Sequence, residues 1–575
     1  MLKLFRFLKP YALQIAVVLV LVFFQTMADL YLPTLMSDII NNGVMSGDTR
    51  YILKTGGFML LVAGGGVLCA LMVSFLSSKI SGNFGRILRN KVFRQVESFS
   101  LNEFDKIGTA TLITRTTNDV TQVQMVTMMS MRMLIGAPIT AVGGVIMALS
   151  EDKPLTLVLV VALPVLMGVV VFIARKVIPL FKQMQKKVDR INLVLREKLT
   201  GIRVIRAFNR MDHEKERFEN ANADLTNTYI RVNRIMAFML PSIMLIMNFT
   251  VISILWFGIV RIDSGAMNIG ALFAFIQYAM QIMFSMIMVA VMFIMVPRAQ
   301  AAAVRINEVL ETKPEIVDPQ SAKANDSARG YLEFRDVTFS YHGAEKPALT
   351  NISFSAKPGE ITAIIGSTGS GKSTLVNLIP RFYDVQGGSV LIDGIDVRDM
   401  SQQALRAKIG FVPQKAILFT GTISENIRYG KSDATDEEVL HAAEVAQATD
   451  FINGMEDGMG HVLAQGGTNV SGGQKQRLSI ARALVRRPEV YVFDDSFSAL
   501  DFKTDAKLRA ALKKEIGDAT VLIVAQRVGT VMDADRIIVL DNGQIAGMGT
   551  HRELMGNCSV YREIVTSQLS EEEIA

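Results

Sequence analysis

The chain has 575 residues, half of them hydrophobic and a fifth charged, which excludes a single soluble core and points to a membrane part joined to a soluble part. Its net charge of +6 does not indicate a nucleic-acid binder, because the basic residues of the first half fall between apolar runs, where Lys and Arg mark the cytoplasmic side of a membrane. Cys69 and Cys558 are the only cysteines, so no disulfide or cysteine-metal framework exists and both read as free thiols.

The opening MLKLFRFLKPYALQIAVVLVLVFFQ imitates a secretory signal, but no small-residue cleavage site follows and further spans do. It reads as an amphipathic entry segment leading into the first membrane helix. Six apolar runs approach or exceed the roughly 20 residues a membrane helix needs: Tyr11–Leu32, Gly56–Leu76, Leu134–Leu149, Leu155–Ala174, Leu240–Val260 and Ile269–Val296. The third-to-fourth connection, Ser150–Pro154, is short. The long ones, Ser78–Thr127 and Arg175–Met236, are basic and helically periodic. They therefore belong with the amino terminus in the cytoplasm, as stalks continuing the membrane helices and turning at Asn102–Gly108 and Phe208–His213. Within the spans Gln25, Asp29, Gln277 and Gln281 would be costly facing lipid. They are candidate cargo contacts in a water-filled cavity; the alternative is that they bond neighbouring helices or, for Asp29, sit at the interface. Of 32 methionines, a dense series runs through Met280, Met283, Met286, Met288, Met292 and Met295. Flexible thioethers suit a surface that accepts several ligand shapes, although helix packing is the commoner use of such a stripe.

After a helical pattern through Leu310, KPEIVDPQSAKANDSARG supplies the prolines and small polar residues of a linker. The expected domains are residues 1–311 in the membrane with two long cytoplasmic connections, a linker at 312–330, and a soluble nucleotide-binding domain at 331–575. There Ile361–Ile365 reads as a strand running into GSTGSGKST. In this phosphate-binding loop the backbone amides of Gly366, Ser367, Thr368, Gly369, Ser370 and Gly371 cradle phosphates, Lys372 reaches the β and γ phosphates, Ser373 holds magnesium, and Thr374 completes the motif. Tyr341, ahead of the loop in FSYHG, is placed to stack on a purine or to join the core. Gln414, in FVPQ, ends a strand where its amide would join magnesium or the attacking water to a movable segment. The apolar strand VYVFD delivers Asp494 to magnesium, and Asp495 stands where the residue positioning a water is expected. In NVSGGQKQRLSIARAL, Ser471, Gly472, Gly473 and Gln474 open an amphipathic helix, a second anion-binding start with no phosphate of its own.

Walker A GSTGSGKST, Q-loop Gln414, signature SGGQ, Walker B YVFDD, D-loop SALD and the six-span first half together resemble an ABC exporter half-transporter over nearly the whole chain. The resemblance implies an α-helical membrane domain, with six transmembrane helices extended into cytoplasmic stalks, plus an α/β P-loop NTPase domain of the ABC type. It also implies a multi-pass protein of the cell membrane with its nucleotide-binding domain in the cytoplasm. ATP and Mg2+ would bind between two head-to-tail nucleotide domains, the P-loop of one chain facing the SGGQ helix of the other. LNEFDKIGTATLITRTTNDV and GIRVIRAFNRMDHE are similar to the family's coupling regions.

The chain departs from the family at Asp495, where Glu is usual, and at Gln526, where the switch His is usual, while HVLAQGGTNV with Gln465 replaces a Glu-containing run. Asp retracts the carboxylate by roughly 1.5 Å, and misplacement of about 1 Å costs on the order of a hundredfold in rate. Gln still hydrogen-bonds a phosphate but carries neither a transferable proton nor positive charge. With Gln414 these form the expected catalytic set. Weakened catalytic residues beside an intact signature resemble the degenerate-site subunit of heterodimeric bacterial multidrug exporters. The expected partners are a second half-transporter, the bilayer and hydrophobic small-molecule cargo, with no nucleic acid. A homodimer with slow sites, a lipid or peptide exporter, and an ATP-gated regulator that moves no cargo are the alternatives.

Overall fold

A computed structural model of the chain describes residues 1–323 and 329–569. They form two compact units. One comprises Met1–Glu97 with Thr109–Thr312, and the other Ser98–Gly108 with the described part of Lys313–Ala575.

In the first unit, six helices among the described residues are long and apolar enough to cross a membrane. They are α1 (Ala12–Asp38), α2 (Thr49–Glu97) and, beyond the short α3 (Leu101–Ile107) of the second unit, α4 (Val120–Glu151), α5 (Thr156–Thr200), α7 (Met211–Asp263) and α8 (Ile269–Glu311). The short α6 (Ile202–Ala207) lies between α5 and α7. Small residues let the helices approach closely: a Cβ on Gly143 would lie 2.5 Å from the Leu30 side chain, and one on Gly144 2.6 Å from that of Ile282. Around this contact a core gathers Leu30, Leu159, Ile254, Phe275 and Tyr278, and the Tyr278 hydroxyl reaches Thr34 Oγ1 at 2.7 Å. The tight α4–α5 connection is pinned by Asp152, which accepts from the Leu155 amide at 2.8 Å and from Arg261 Nε at 2.6 Å. Just before α4, a π-helical turn at Arg115–Asp119 directs both charged side chains toward α8. There Arg305 Nε donates to Asp119 at 2.7 Å and Arg115 pairs with Glu308 at 2.9 Å.

The second stalk turn differs from the expected Phe208–His213. The helix breaks earlier, at Gly201, steps through α6 and turns at Phe208–Arg210, so Met211 already begins α7. Asn209 takes the left-handed φ of 51° that reverses the chain there, a conformation Asn tolerates better than most residues.

The second unit is built on two larger sheets. Strands β1 (Leu332–Phe339), β2 (Leu349–Ala356), β4 (Gly387–Ile392) and β5 (Ile395–Asp396) form an antiparallel sheet in the order β2-β1-β4-β5. The central sheet has the order β12-β11-β3-β10-β9-β6 and uses β3 (Ile361–Gly366), β6 (Ile409–Val412), β9 (Val490–Asp494), β10 (Thr520–Val524), β11 (Arg536–Asp541) and β12 (Gln544–Gly549). A two-stranded ribbon, β7 (Gly421–Thr422) with β8 (Val462–Leu463), completes it. Five central strands are parallel and covered on both faces, which is why they read as unbroken apolar runs. Val492, Leu522 and Ile364 point into one core, and Phe493, Ile523 and Ile365 into the other. Helix α3 is tied to this unit by Asn102 Nδ2, which donates to Glu315 at 2.6 Å, and by Glu103, which accepts from the Glu315 amide at 3.2 Å.

Candidate functional site

The carboxyl ends of β3, β10, β9 and β6 lie side by side, the edge at which parallel α/β sheets bind ligands. From β3 the chain turns through Gly366–Gly371 into α9 (Lys372–Leu378). Gly371 has φ 98°, and a Cβ there would sit 2.9 Å from Ala348 O, so only glycine closes this turn. Lys372 Nζ lies 2.8 Å from Gly366 O and 2.7 Å from Ser367 O, held inside the loop's curve. Burial pulls its ammonium below the usual lysine range, against the pull of Asp495 and Asp494. Ser373 Oγ donates to Asp494 Oδ1 at 3.0 Å. A hydroxyl and a carboxylate converging at a phosphate loop form the hard oxygen set that suits magnesium, so the residues fit the ion, with Gln414 nearby on the β6 side. The Asp494 carboxyl is raised above its usual range, first by burial and also by the adjacent Asp495.

Asp495 follows β9 in a left-handed conformation, φ 47°, with its amide bonded to Val524 O at 3.0 Å. Such backbone conformations cost energy and concentrate at functional sites. Its Oδ2 accepts from Gln526 Nε2 at 2.8 Å and from Gln414 Nε2 at 3.2 Å. Burial raises the Asp495 carboxyl, an effect opposed by these bonds. The structure thus brings Gln414, Asp494, Asp495 and Gln526, drawn from the ends of β6, β9 and β10, onto one edge beside the P-loop. Tyr341 lies at the same loop, its hydroxyl 3.1 Å from Thr374 Oγ1 and its ring packed edge-on against Phe339 and Tyr383 at 5.0 and 5.4 Å between centroids. It remains 39% exposed, so the ring keeps a free surface.

Ser471 caps α10 (Gly472–Leu484). A reciprocal box joins the Ser471 amide to Gln474 Oε1 at 2.8 Å and the Gln474 amide to Ser471 Oγ at 3.3 Å. Ser471 and Gly472 are exposed, so this helix start is presented outward. Gln465 is exposed in a neighbouring 3-10 turn.

Residues 15–286 match the ABC transporter transmembrane region and residues 349–498 the ABC transporter family model. An uncharacterized ABC transporter ATP-binding protein of Mycobacterium tuberculosis is 44% identical over 98% of this chain and 97% of its own length. The chain belongs to the ABC transporter family. An ATP-dependent lipid A-core flippase of Syntrophus aciditrophicus is 31% identical to this half-transporter over 89% of the chain and 85% of its own length. In fold the half-transporter is similar to a bacterial Atm1-family ABC exporter solved with ATP bound, at a TM-score of 0.80 and 24% identity over 97% of this chain and 98% of that one. It is a multi-pass membrane protein with its ATPase domain in the cytoplasm, and exporters of this architecture act as dimers to drive transport with ATP.

The half-transporter's membrane unit carries an open cavity of about 920 Å³, and Gln25, Asp29, Gln277 and Gln281 all line it. Gln281 Nε2 donates to Asp29 O at 3.1 Å, tying α8 to α1. Of the dense methionine series only Met288 borders this space, while Met283 and Met292 are buried in packing. Other methionines, Met36, Met59, Met128, Met129 and Met133, line the wall instead. Sequence reasoning missed Arg132, which lines it too; the signal was a lone cation in the apolar run MVTMMSMRMLIGAP, just before the point where that span was taken to begin.

Proposed function

We propose that this chain is one subunit of a heterodimeric exporter of hydrophobic or amphipathic compounds. Its own P-loop holds ATP with weak hydrolysis, and Ser471–Gln474 completes the hydrolytic site of a different half-transporter. The observation that carries the proposal is the environment of Asp495. Its carboxylate is one methylene shorter than Glu and is held by two amides, neither of which accepts or delivers a proton at neutral pH. Lys372 and the loop amides meet the charge of the phosphates, and Ser373 and Asp494 would hold magnesium, which when bound neutralises charge developing on them. These binding groups are intact. Asp495, drawn back and tethered to Gln526 and Gln414, is poorly placed to orient a water against the γ-phosphate. Tyr341 offers its exposed surface to the purine.

The polar residues gathered at one methionine-walled cavity support an amphipathic cargo. The kinship to a lipid A-core flippase supports a second reading for the cargo alone, a lipid. The test is to purify the chain alone and together with the half-transporter that accompanies it in the membrane, and to measure ATPase activity and vesicle transport. Strong activity and transport by the chain alone contradict the heterodimer, and a sharp rise on Asp495→Glu without any partner establishes a homodimer with slow sites. Absence of ATP-dependent movement of any amphiphile by the pair points to a regulator.

A further inference from the structure

The cavity holds two ionisable side chains of opposite sign, and they are not equally engaged. The Gln25 side chain, one turn away on α1, lies beside the Asp29 carboxylate. Arg132, with five donors, has no hydrogen bond or ion pair among the described residues. Its orientation is not that of an arginine reaching into lipid. Met129, Arg132, Met133, Gly136 and Thr140 follow helical spacing on α4 and line the same space, so one face of α4 looks into the cavity. The register fixes the depth: Gly136 sits against Val22 and Gly143 against Leu30, so α1 and α4 run side by side. At about 1.5 Å per residue, Arg132 therefore lies roughly 16 Å nearer the cytoplasmic end than Asp29. Above it the wall is methionine and Phe284, and near Asp29 the buried Gln281 Oε1 has no hydrogen-bond partner among the described residues.

We propose that Arg132 is an anion-recognition residue of the transport cavity and that the cargo is an amphiphile with an acidic head, a phosphate monoester or carboxylate. The planar guanidinium grips the head in bidentate fashion near the cytoplasmic leaflet, and the apolar portion lies along the methionine wall above. This rests on the reading of the cavity as the cargo site; Asp29 taken alone would favour a cationic head instead. The favoured class follows from which charge lacks a partner.

The experiment is equilibrium binding of radiolabelled dodecyl phosphate to the intact transporter, purified from membranes as assembled and placed in neutral lipid nanodiscs. Dodecyltrimethylammonium serves as the cationic counterpart and inorganic phosphate as the tail-less one. Dodecyl phosphate is expected to bind best. Arg132→Gln should weaken it by at least about 10- to 100-fold, since each hydrogen bond lost to a charged group costs about that much, and should leave the cationic probe unaffected. Arg132→Lys should retain the preference for the anion in reduced form. Arg132→Met, matched to the surrounding methionines, provides a second neutral variant should Arg132→Gln fail to assemble. An unchanged preference in the neutral variants, tighter binding of the cation, or inorganic phosphate binding as tightly as dodecyl phosphate overturns the inference while leaving the cavity as a cargo site. Failure of both amphiphiles to bind overturns that reading and the inference with it.

Discussion

Asp495 combines a left-handed backbone, a buried carboxylate and two amide partners, and each feature constrains what a replacement does. Asp495→Glu extends the carboxylate toward the phosphate edge, and Gln526→His restores a group that carries charge and a proton. With the partner's site silenced, the double change should raise hydrolysis at this site on the order of a hundredfold, measured as ATPase activity. If the rate stays as slow, the defect lies outside these two residues. Lys372→Ala should weaken nucleotide binding by at least about tenfold, read by photolabelling, because it removes the ammonium held within the loop. If the Tyr341 ring stacks on the purine as proposed, Tyr341→Phe should matter less than Tyr341→Ala, since the hydroxyl only reaches Thr374. These residues were legible in the sequence because a phosphate loop and a strand-end carboxylate use few residue types at short spacing. That Gln526 and Gln414 share one Asp495 oxygen was not legible, since β6, β9 and β10 lie far apart in the chain and meet only in the sheet.

At the scale of elements, the Asp119–Arg305 clasp joins the π-helical turn before α4 to the cytoplasmic end of α8. The Asp119 side chain is only 4% exposed. Arg305→Ala leaves that carboxylate without its partner, a loss of about 1–3 kcal/mol, expected as a lower unfolding temperature of the purified transporter. Arg305→Lys, which keeps the charge without the fork, should fall between; an unchanged unfolding temperature in both variants would show the clasp to be dispensable. Hydropathy revealed the six spans but not where helices break inside the basic stalks, because the break at Gly201 and the reversal at Asn209 depend on backbone conformation rather than apolar period. It also set the third span to begin at Leu134, just past Arg132. Nor does sequence period tell that Leu101–Ile107 packs with the second unit, which rests on Asn102 and Glu103 meeting Glu315.

For the whole molecule, the outward-facing Ser471 box and the constrained Asp495 are complementary halves of one proposal. On that proposal, this chain would lend a sound signature to a partner and keep a slow site for itself. The proposed division rests on Asp495, Gln526 and SGGQ only by comparison with the family's usual pattern, since no single residue states how many chains share a site. Its most direct test is photolabelling of the transporter in native membranes with azido-ATP radiolabelled at either the α or the γ phosphate, followed by separation of the two chains. The account predicts that after turnover conditions this chain retains γ label in proportion to α label, because its P-loop holds unhydrolysed ATP, while the partner retains α label alone. Loss of the γ label from this chain as fast as from its partner would contradict it.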